Sequence, residues 1–153
     1  MNAFDRLWTL SVADVMTRQV VKVSSLETML DVSRKFVEHD VVAAPVTNQE
    51  GQCVGFFSAA DFLRRELQVR QQAGKQEEVD PTSDADVSRF MSSDVRTLSP
   101  GMPLLDAARL MCEQHLHRLP VLDDRKHVVG IVSTMDVVAA LVNAVDEMEA
   151  SGF

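Results

Sequence analysis

The sequence predicts an α/β fold of the α+β kind: two pseudo-twofold-related β-α-β-β-α repeats forming one compact module. Three observations predict it. The first is a gapless internal repeat, in which residues 12–66 lie over residues 87–141 at a constant offset (120 − 45 = 75). That offset pairs Pro45 with Pro120, Gly55 with Gly130, Ser58 with Ser133, and Asp61 with Asp136; it also pairs Met16 with Met91 and Val46 with Val121. The second is that the copies number only two, whereas an open solenoid needs about three or more units to bury a continuous core. Two copies close on each other instead, and a cleft between them meets each signature twice. The third is the alternation, inside each copy, of β-rich runs with apolar residues at helical spacing.

The elements follow in order. Residues 1–11 form an N-terminal helical extension, because Phe4, Leu7 and Trp8 fall at i, i+3 and i+4. The first repeat occupies residues 12–70. Residues 20–23 make a short strand, and Ser24 with Glu27 gives a capping-box signal. Leu26, Met29, Leu30, Ser33, Phe36 and Val37 then form one buried helical stripe. Ala43–Thr47 is the second strand, residues 48–51 supply turn chemistry, residues 53–57 are the third strand, and a helix runs from about Ala59 towards Val69. A polar connector containing Gly74 and Pro81 fills residues 71–86.

The second repeat occupies residues 87–148. Residues 95–98 are its first strand, and Pro103 opens a helix whose inner face is Leu104, Leu105, Ala108, Met111 and Cys112. Arg118–Leu122 and residues 128–132 pair around the turn at residues 123–126. The helix from Thr134 carries Val138, Leu141, Val142, Val145 and Met148, a stripe too apolar to stay solvated. It is expected to pack on Phe62, Leu63 and Leu67 or on a second subunit. Pro45 and Pro120 lack an N–H and are expected at a strand end or sheet edge. Residues 149–153 are expected to fray.

The 153 residues are 46% hydrophobic and 25% charged, as in soluble globular proteins. No apolar run approaches the roughly 20 residues that span a bilayer. The first ten residues lack a basic segment followed by an apolar one, so no secretion signal is read. Cys53 and Cys112 make no disulfide framework and read as reduced packing thiols, which points to a cytoplasmic protein. The net charge of −8 argues against nucleic acid and against an anionic membrane surface as partners. A phosphate-bearing ligand therefore needs a local cluster of positive charge.

The repeated signature is Gly55-x-x-Ser58-x-x-Asp61 and Gly130-x-x-Ser133-x-x-Asp136. In each, a strand ends on a hydroxyl residue that caps the next helix, with a carboxylate one turn inside. A carboxylate can accept from the vicinal hydroxyls of a ribose, and a capped helix N-terminus faces anionic oxygens. The plainer alternative makes Ser58 and Ser133 only helix caps, with Asp61 and Asp136 favouring the helix dipole.

These residues, together with Val15-Met16-Thr17, Pro45-Val46, Pro120-Val121 and the run from His117 to Asp123 (HRLPVLD), make the chain resemble a tandem pair of cystathionine-β-synthase-type (CBS) domains from about Val12 to Leu141. The resemblance implies a module that binds adenosine-containing ligands in clefts between repeats, generally as a homodimer. It implies that Asp61 and Asp136 hold ribose, that Ser58 and Ser133 help hold ribose or phosphate, and that Ala44 and Leu119, each before its proline, line an adenine slot. Thr97 fits the position that touches the nucleoside from the first strand; its counterpart is Lys22, beside Val23.

The copies are unequal. His115, His117, Arg118, Arg125, Lys126 and His127 cluster in repeat two, whereas residues 40–52 contain no Lys or Arg and no His. Phosphate is therefore expected at the Asp136 site, with Arg118 as a charge-assisted donor and Lys22 reaching it from repeat one. Arg118 and Lys126 could instead form solvated ion pairs with Asp123 and Asp124. His115 and His117 would share a face on a strand, but no third metal ligand is evident. No nucleophile elbow, Cys–His pair or phosphate-cradling glycine loop is present. The expectation is a non-catalytic regulatory module needing no cofactor, whose ligand is AMP, ADP, ATP or another adenosyl compound and whose effector protein is unknown. The alternative is a dimerisation scaffold with vestigial clefts.

Overall fold

The computed structural model describes residues 2–73 and 86–152, so most of the expected connector, Gly74 and Pro81 included, lies outside the described residues. In chain order the helices and strands are α1 (Ala3–Thr9), α2 (Val12–Val15), β1 (Val23–Ser24), α3 (Met29–His39), β2 (Ala43–Thr47), β3 (Cys53–Ser58), α4 (Ala59–Ala73), α5 (Leu104–Gln114), β4 (Arg118–Leu122), β5 (Val128–Ser133) and α6 (Thr134–Ala150). They divide into two compact units. One, the Asp61 unit, is Val21–Val95; the other, the Asp136 unit, joins the residues up to Val20 to those from Arg96 onward.

These boundaries cut across the sequence repeat. The opening stretch of each copy packs on the strands of the other: Met16 lies against Gly130, and Met91 lies against Gly55. Backbone pairing fixes the exchange. Thr17 and Ile131 trade N–H···O=C bonds at 2.9 and 3.0 Å, and Ser92 and Phe56 do the same at 2.9 Å each. A linear alignment assigns each methionine to its own copy, so this exchange is not visible in it.

In the Asp61 unit the strand order is β1-β2-β3, with β1 parallel and β3 antiparallel to β2. In the Asp136 unit β4 and β5 pair antiparallel, and Leu98 alone bridges β4 in parallel. The expected first strands at 20–23 and 95–98 thus shrink to Val23–Ser24 and a single bridging residue.

Pro45 is the third residue of the central strand β2, which corrects the expectation of a strand end or edge there, whereas Pro120, the third residue of β4, lies on an edge strand of a two-stranded sheet as expected. Pro120 accepts from the Leu98 N–H at 2.9 Å through its carbonyl. Its nitrogen faces the same side, just ahead of where that short pairing begins, so no ladder bond is lost.

Helix α3 starts later than expected. Thr28 is its cap, accepting from the Asp31 N–H at 3.2 Å. Ser24 and Glu27 do make the expected contact, Ser24 N–H to Glu27 Oε1 at 3.0 Å, but it closes a turn after β1. The buried stripe is Met29, Val32 and Phe36; Leu26 and Val37 are exposed. Phe36 and Phe57 meet at 6.0 Å between centroids with their planes tilted by 45°, within the range at which aromatic pairs add to their area burial.

In α5 the buried face is Leu104, Ala107 and Met111, while Cys112 is exposed and Leu105 and Ala108 turn towards α1. Burial pushes the half-buried Cys53 thiol up, against a smaller opposing effect of the Gly55 carbonyl. Helix α6 runs through Ala150, past the point where fraying was expected. Helix α1 forms as the spacing requires and lies along α5 and α6, and Arg6 meets Glu147 at 3.0 Å. Phe4, Leu7 and Trp8 with Leu104, Val138 and Leu141 enclose an apolar groove of about 240 Å³.

Candidate functional site

The antiparallel register of β4 and β5 sets Arg118 directly opposite Ser133, and Thr134 N–H closes on the His117 carbonyl at 3.0 Å. Ser133 caps α6: its Oγ accepts from the Asp136 N–H at 3.2 Å, and Asp136 Oδ2 accepts from the Ser133 N–H at 2.8 Å. The capping role is therefore real. It occupies only one oxygen of a part-buried carboxylate, because Asp136 Oδ1 has no partner among the described residues.

Arg118 is exposed and has no carboxylate partner among the described residues, and the same holds for Lys126. The ion pairs that would have accounted for them do not form. Asp123 instead lies 3.7 Å from His127 Nδ1 and takes the backbone N–H groups of Arg125 and His127, each at 2.9 Å. The His127 N–H is the chief reason its carboxyl titrates below its ordinary range. Thr97, exposed, precedes the Leu98 bridge on the same unit. Thus Thr97, His117, Arg118, Leu119, Pro120, Ser133 and Asp136 belong to one unit. Lys22, Val23, Ala44, Pro45, Ser58 and Asp61 belong to the other.

Leu119, Ala44 and Val23 sit in the two hydrophobic cores, and Pro45 and Pro120 are fully buried. At those positions the strand backbone, not the side chain, is what a ligand could meet. His115 is the left-handed cap of α5 at φ +53, so it is not on a strand and shares no strand face with His117. Among the described residues no group of three or more potential metal ligands occurs, and no helix is long and apolar enough to cross a membrane.

The Asp61 copy begins in the same way and ends differently. Ser58 N–H and Oγ–H donate to Asp61 Oδ2 at 2.9 and 3.0 Å, and Ser58 Oγ accepts from Asp61 N–H at 3.2 Å. Here the other oxygen is taken as well: Arg64 Nη1 reaches Oδ1 at 2.7 Å. Asp61 is only 9% exposed. Arg64 falls on Ala139 in the repeat (64 + 75 = 139), so the second copy has no such clamp. Sequence reading passed over Arg64, although its i, i+3 spacing from Asp61 on a helix was a sufficient signal.

Comparison with known proteins places this geometry. The matching family is the CBS domain, over residues 12–67 and 86–143. The CBS domain-containing protein YhcV of Bacillus subtilis is 34% identical, over 83% of this chain and 82% of its own length. The crystal structure of CBSX2 in complex with AMP superposes at a TM-score of 0.73 with 27% identity, covering 87% of this chain and 96% of that one. The CBS domain pair of MJ0100, crystallised with 5′-methylthioadenosine and S-adenosyl-L-methionine, gives a TM-score of 0.73 over 88% and 98%. At 19% identity it speaks to the fold alone.

Proposed function

Given that the chain belongs to the CBS-domain family, we propose that it is a non-catalytic regulatory module that binds an adenosine-containing nucleotide and signals its occupancy to a partner protein. The observation that carries this reading is the pairing, on one edge, of an uncommitted guanidinium and an uncommitted carboxylate oxygen. Arg118 stands across the sheet from Ser133, and Asp136 Oδ1 is unclaimed. Vicinal ribose hydroxyls are donors that a carboxylate oxygen can take. A phosphate offers anionic acceptor oxygens that the planar guanidinium fork of arginine recognises with charge assistance. The AMP held by CBSX2 supports the adenosyl class. The ligand can shift the partner only through its different affinity for the module's alternative states.

Thermal unfolding with AMP, ADP and ATP tests this. Saturating ligand is expected to raise the melting temperature, by about 5–10 °C at a hundredfold excess over Kd. Asp136→Ala is expected to abolish most of that rise. An undiminished rise in Asp136→Ala overturns the site assignment.

The second reading, a dimerisation scaffold, draws on the apolar stripe of α6. Val138, Leu141, Val142 and Val145 remain 42–49% exposed in the single chain, more apolar surface on one helix than water normally meets. A stable homodimer by light scattering, together with no response to any nucleoside, would favour that reading.

A further inference from the structure

One buried charge in the Asp61 unit has no counter-ion among the described residues. Arg65, on α4, is 5% exposed, and its Nε and Nη1 are buried without any hydrogen-bond partner. Its guanidinium lies over the ring of Phe90, 5.3 Å from the centroid. No ion pair among the described residues reaches it. The carboxylate one helical turn before it, Asp61, is fully committed to Ser58 and Arg64.

Arginine cannot shed its proton to escape this position, and an uncompensated buried charge is the costly member of any buried pair. The ring attracts the cation through one face only, which leaves the in-plane N–H donors unmet. Packing does not explain the residue either. The repeat puts Ala140 at the equivalent position (65 + 75 = 140), where it is also buried, and puts Val15 opposite Phe90 (90 − 75 = 15). At the equivalent positions one copy carries two aliphatic residues, and the other carries a cation and its aromatic platform. Buried, unsatisfied N–H donors call for an acceptor, and a fixed positive charge calls for a negative one.

We propose that Arg65 is the centre of a second, separate ligand site, one that binds a small oxyanion: a phosphate group, free or carried on a nucleotide. Phe90 serves as the platform for the guanidinium. Arg89 precedes Phe90 at the end of the turn formed by Val87–Arg89. The opposing charge is that of Asp61, which Arg64 offsets at 2.7 Å. This site does not depend on Asp136, so the Asp136→Ala test of the proposed function is read on a chain that also carries Arg65→Met.

The test is thermal unfolding of the full chain in an Arg118→Ala/Asp136→Ala background, which removes both the phosphate donor and the ribose acceptor proposed for the other unit. Inorganic phosphate and AMP are titrated against that parent and against the same protein carrying Arg65→Met. A hundredfold excess over Kd is expected to raise the parent's melting temperature by about 5–10 °C and to leave Arg65→Met unmoved. A rise with phosphate alone identifies the free anion as ligand, and a rise with AMP alone identifies the nucleotide's phosphate. Arg65→Gln, which keeps a polar side chain without the charge, must lose the response too, with the far-ultraviolet circular dichroism of both variants confirming the fold. Equal rises with and without Arg65, or no rise in the parent with either probe, overturn the proposal.

Discussion

Helices α4 and α6 open on the same capping geometry and diverge one turn later. In both, a serine and an aspartate three residues on exchange hydrogen bonds between 2.8 and 3.2 Å. After that, α4 places Arg64 and Arg65 where α6 places Ala139 and Ala140. The first arginine closes on the motif carboxylate, and the second sinks beside Phe90 without a counter-ion among the described residues. One duplicated scaffold thus carries two electrostatic settings: an acceptor left free in the Asp136 unit and an acceptor already occupied in the Asp61 unit. Capping accounts for what the copies share, so it is the residues one turn beyond the motif that give each copy its own chemistry.

The sharpest way to break the equivalence of the copies is at their glycines. A methyl group on Gly55 would meet the Met91 side chain and also the Ser92 carbonyl oxygen at 2.9 Å. That carbonyl is locked in a two-way backbone exchange with Phe56. For a methyl group on Gly130 the three nearest atoms all belong to the Met16 side chain, Sδ at 2.5 Å, Cγ at 2.8 Å and Cβ at 3.1 Å. A flexible thioether can swing away, whereas a hydrogen-bonded carbonyl cannot. Gly55→Ala is therefore expected to cost about 3 kcal/mol and Gly130→Ala about 1 kcal/mol, measured by urea unfolding of each single variant. Equal losses would mean that Met16 is held as rigidly as the Ser92 backbone.

Much of this architecture was legible because a few residues dictate it locally. Ala43–Thr47 and Arg118–Leu122 are short β-rich runs around a Pro-Val pair, and both strands form with those bounds. Helix α1 followed from Phe4, Leu7 and Trp8. The start of α3 did not follow, because Ser24 satisfies the capping pattern while its backbone belongs to β1, paired with Thr47. Nor did the exchange of opening segments, since alignment of a repeat says which residues are equivalent and not which are neighbours. At the site, the serine and aspartate pairs were legible from spacing. Arg65 was not, because periodicity assigns a charged residue to solvent and nothing in the pattern signals a buried cation over a ring.

The clamp on Asp61 offers a second, smaller lever. The Arg64 side chain is 69% exposed and its partner carboxylate 9%, so the pair is screened on one side and worth at most about 1 kcal/mol. Under the proposed function, a ribose approaching Asp61 must displace it. Arg64→Ala is expected to strengthen adenosine binding at the Asp61 unit by roughly fivefold, read by calorimetry in an Asp136→Ala background where the other unit no longer contributes; adenosine carries no phosphate for Arg65. Unchanged affinity would show that Asp61 is not a ribose acceptor, with or without the clamp.

The smallest difference sits in the two hairpin turns. Asn48 Oδ1 accepts from the N–H groups of Glu50 and Gln52 at 3.1 and 2.9 Å, and Asp123 Oδ1 makes the equivalent pair of bonds to Arg125 and His127 at 2.9 Å each. The same loop is therefore built once with a neutral side chain and once with a charged one. The Asp123 carboxyl is held below its ordinary value, first by the His127 N–H and then, against some burial, by the Arg125 N–H. A depressed folded pKa means that its contribution is fully present above the unfolded value of about 4 and is lost as pH falls through the lower folded value. Asp123→Asn keeps both acceptor bonds, as Asn48 does, and removes the titration. Its melting temperature at pH 7 is expected to stay within about 2 °C of the parent, and its loss of stability between pH 5 and pH 3 is expected to be shallower. Some acid dependence remains, because Asp14 is likewise held low by the Ser11 N–H and hydroxyl. A variant as acid-sensitive as the parent would assign the whole of that dependence to Asp14 and the other carboxylates, and would make the charge on this turn incidental to the fold.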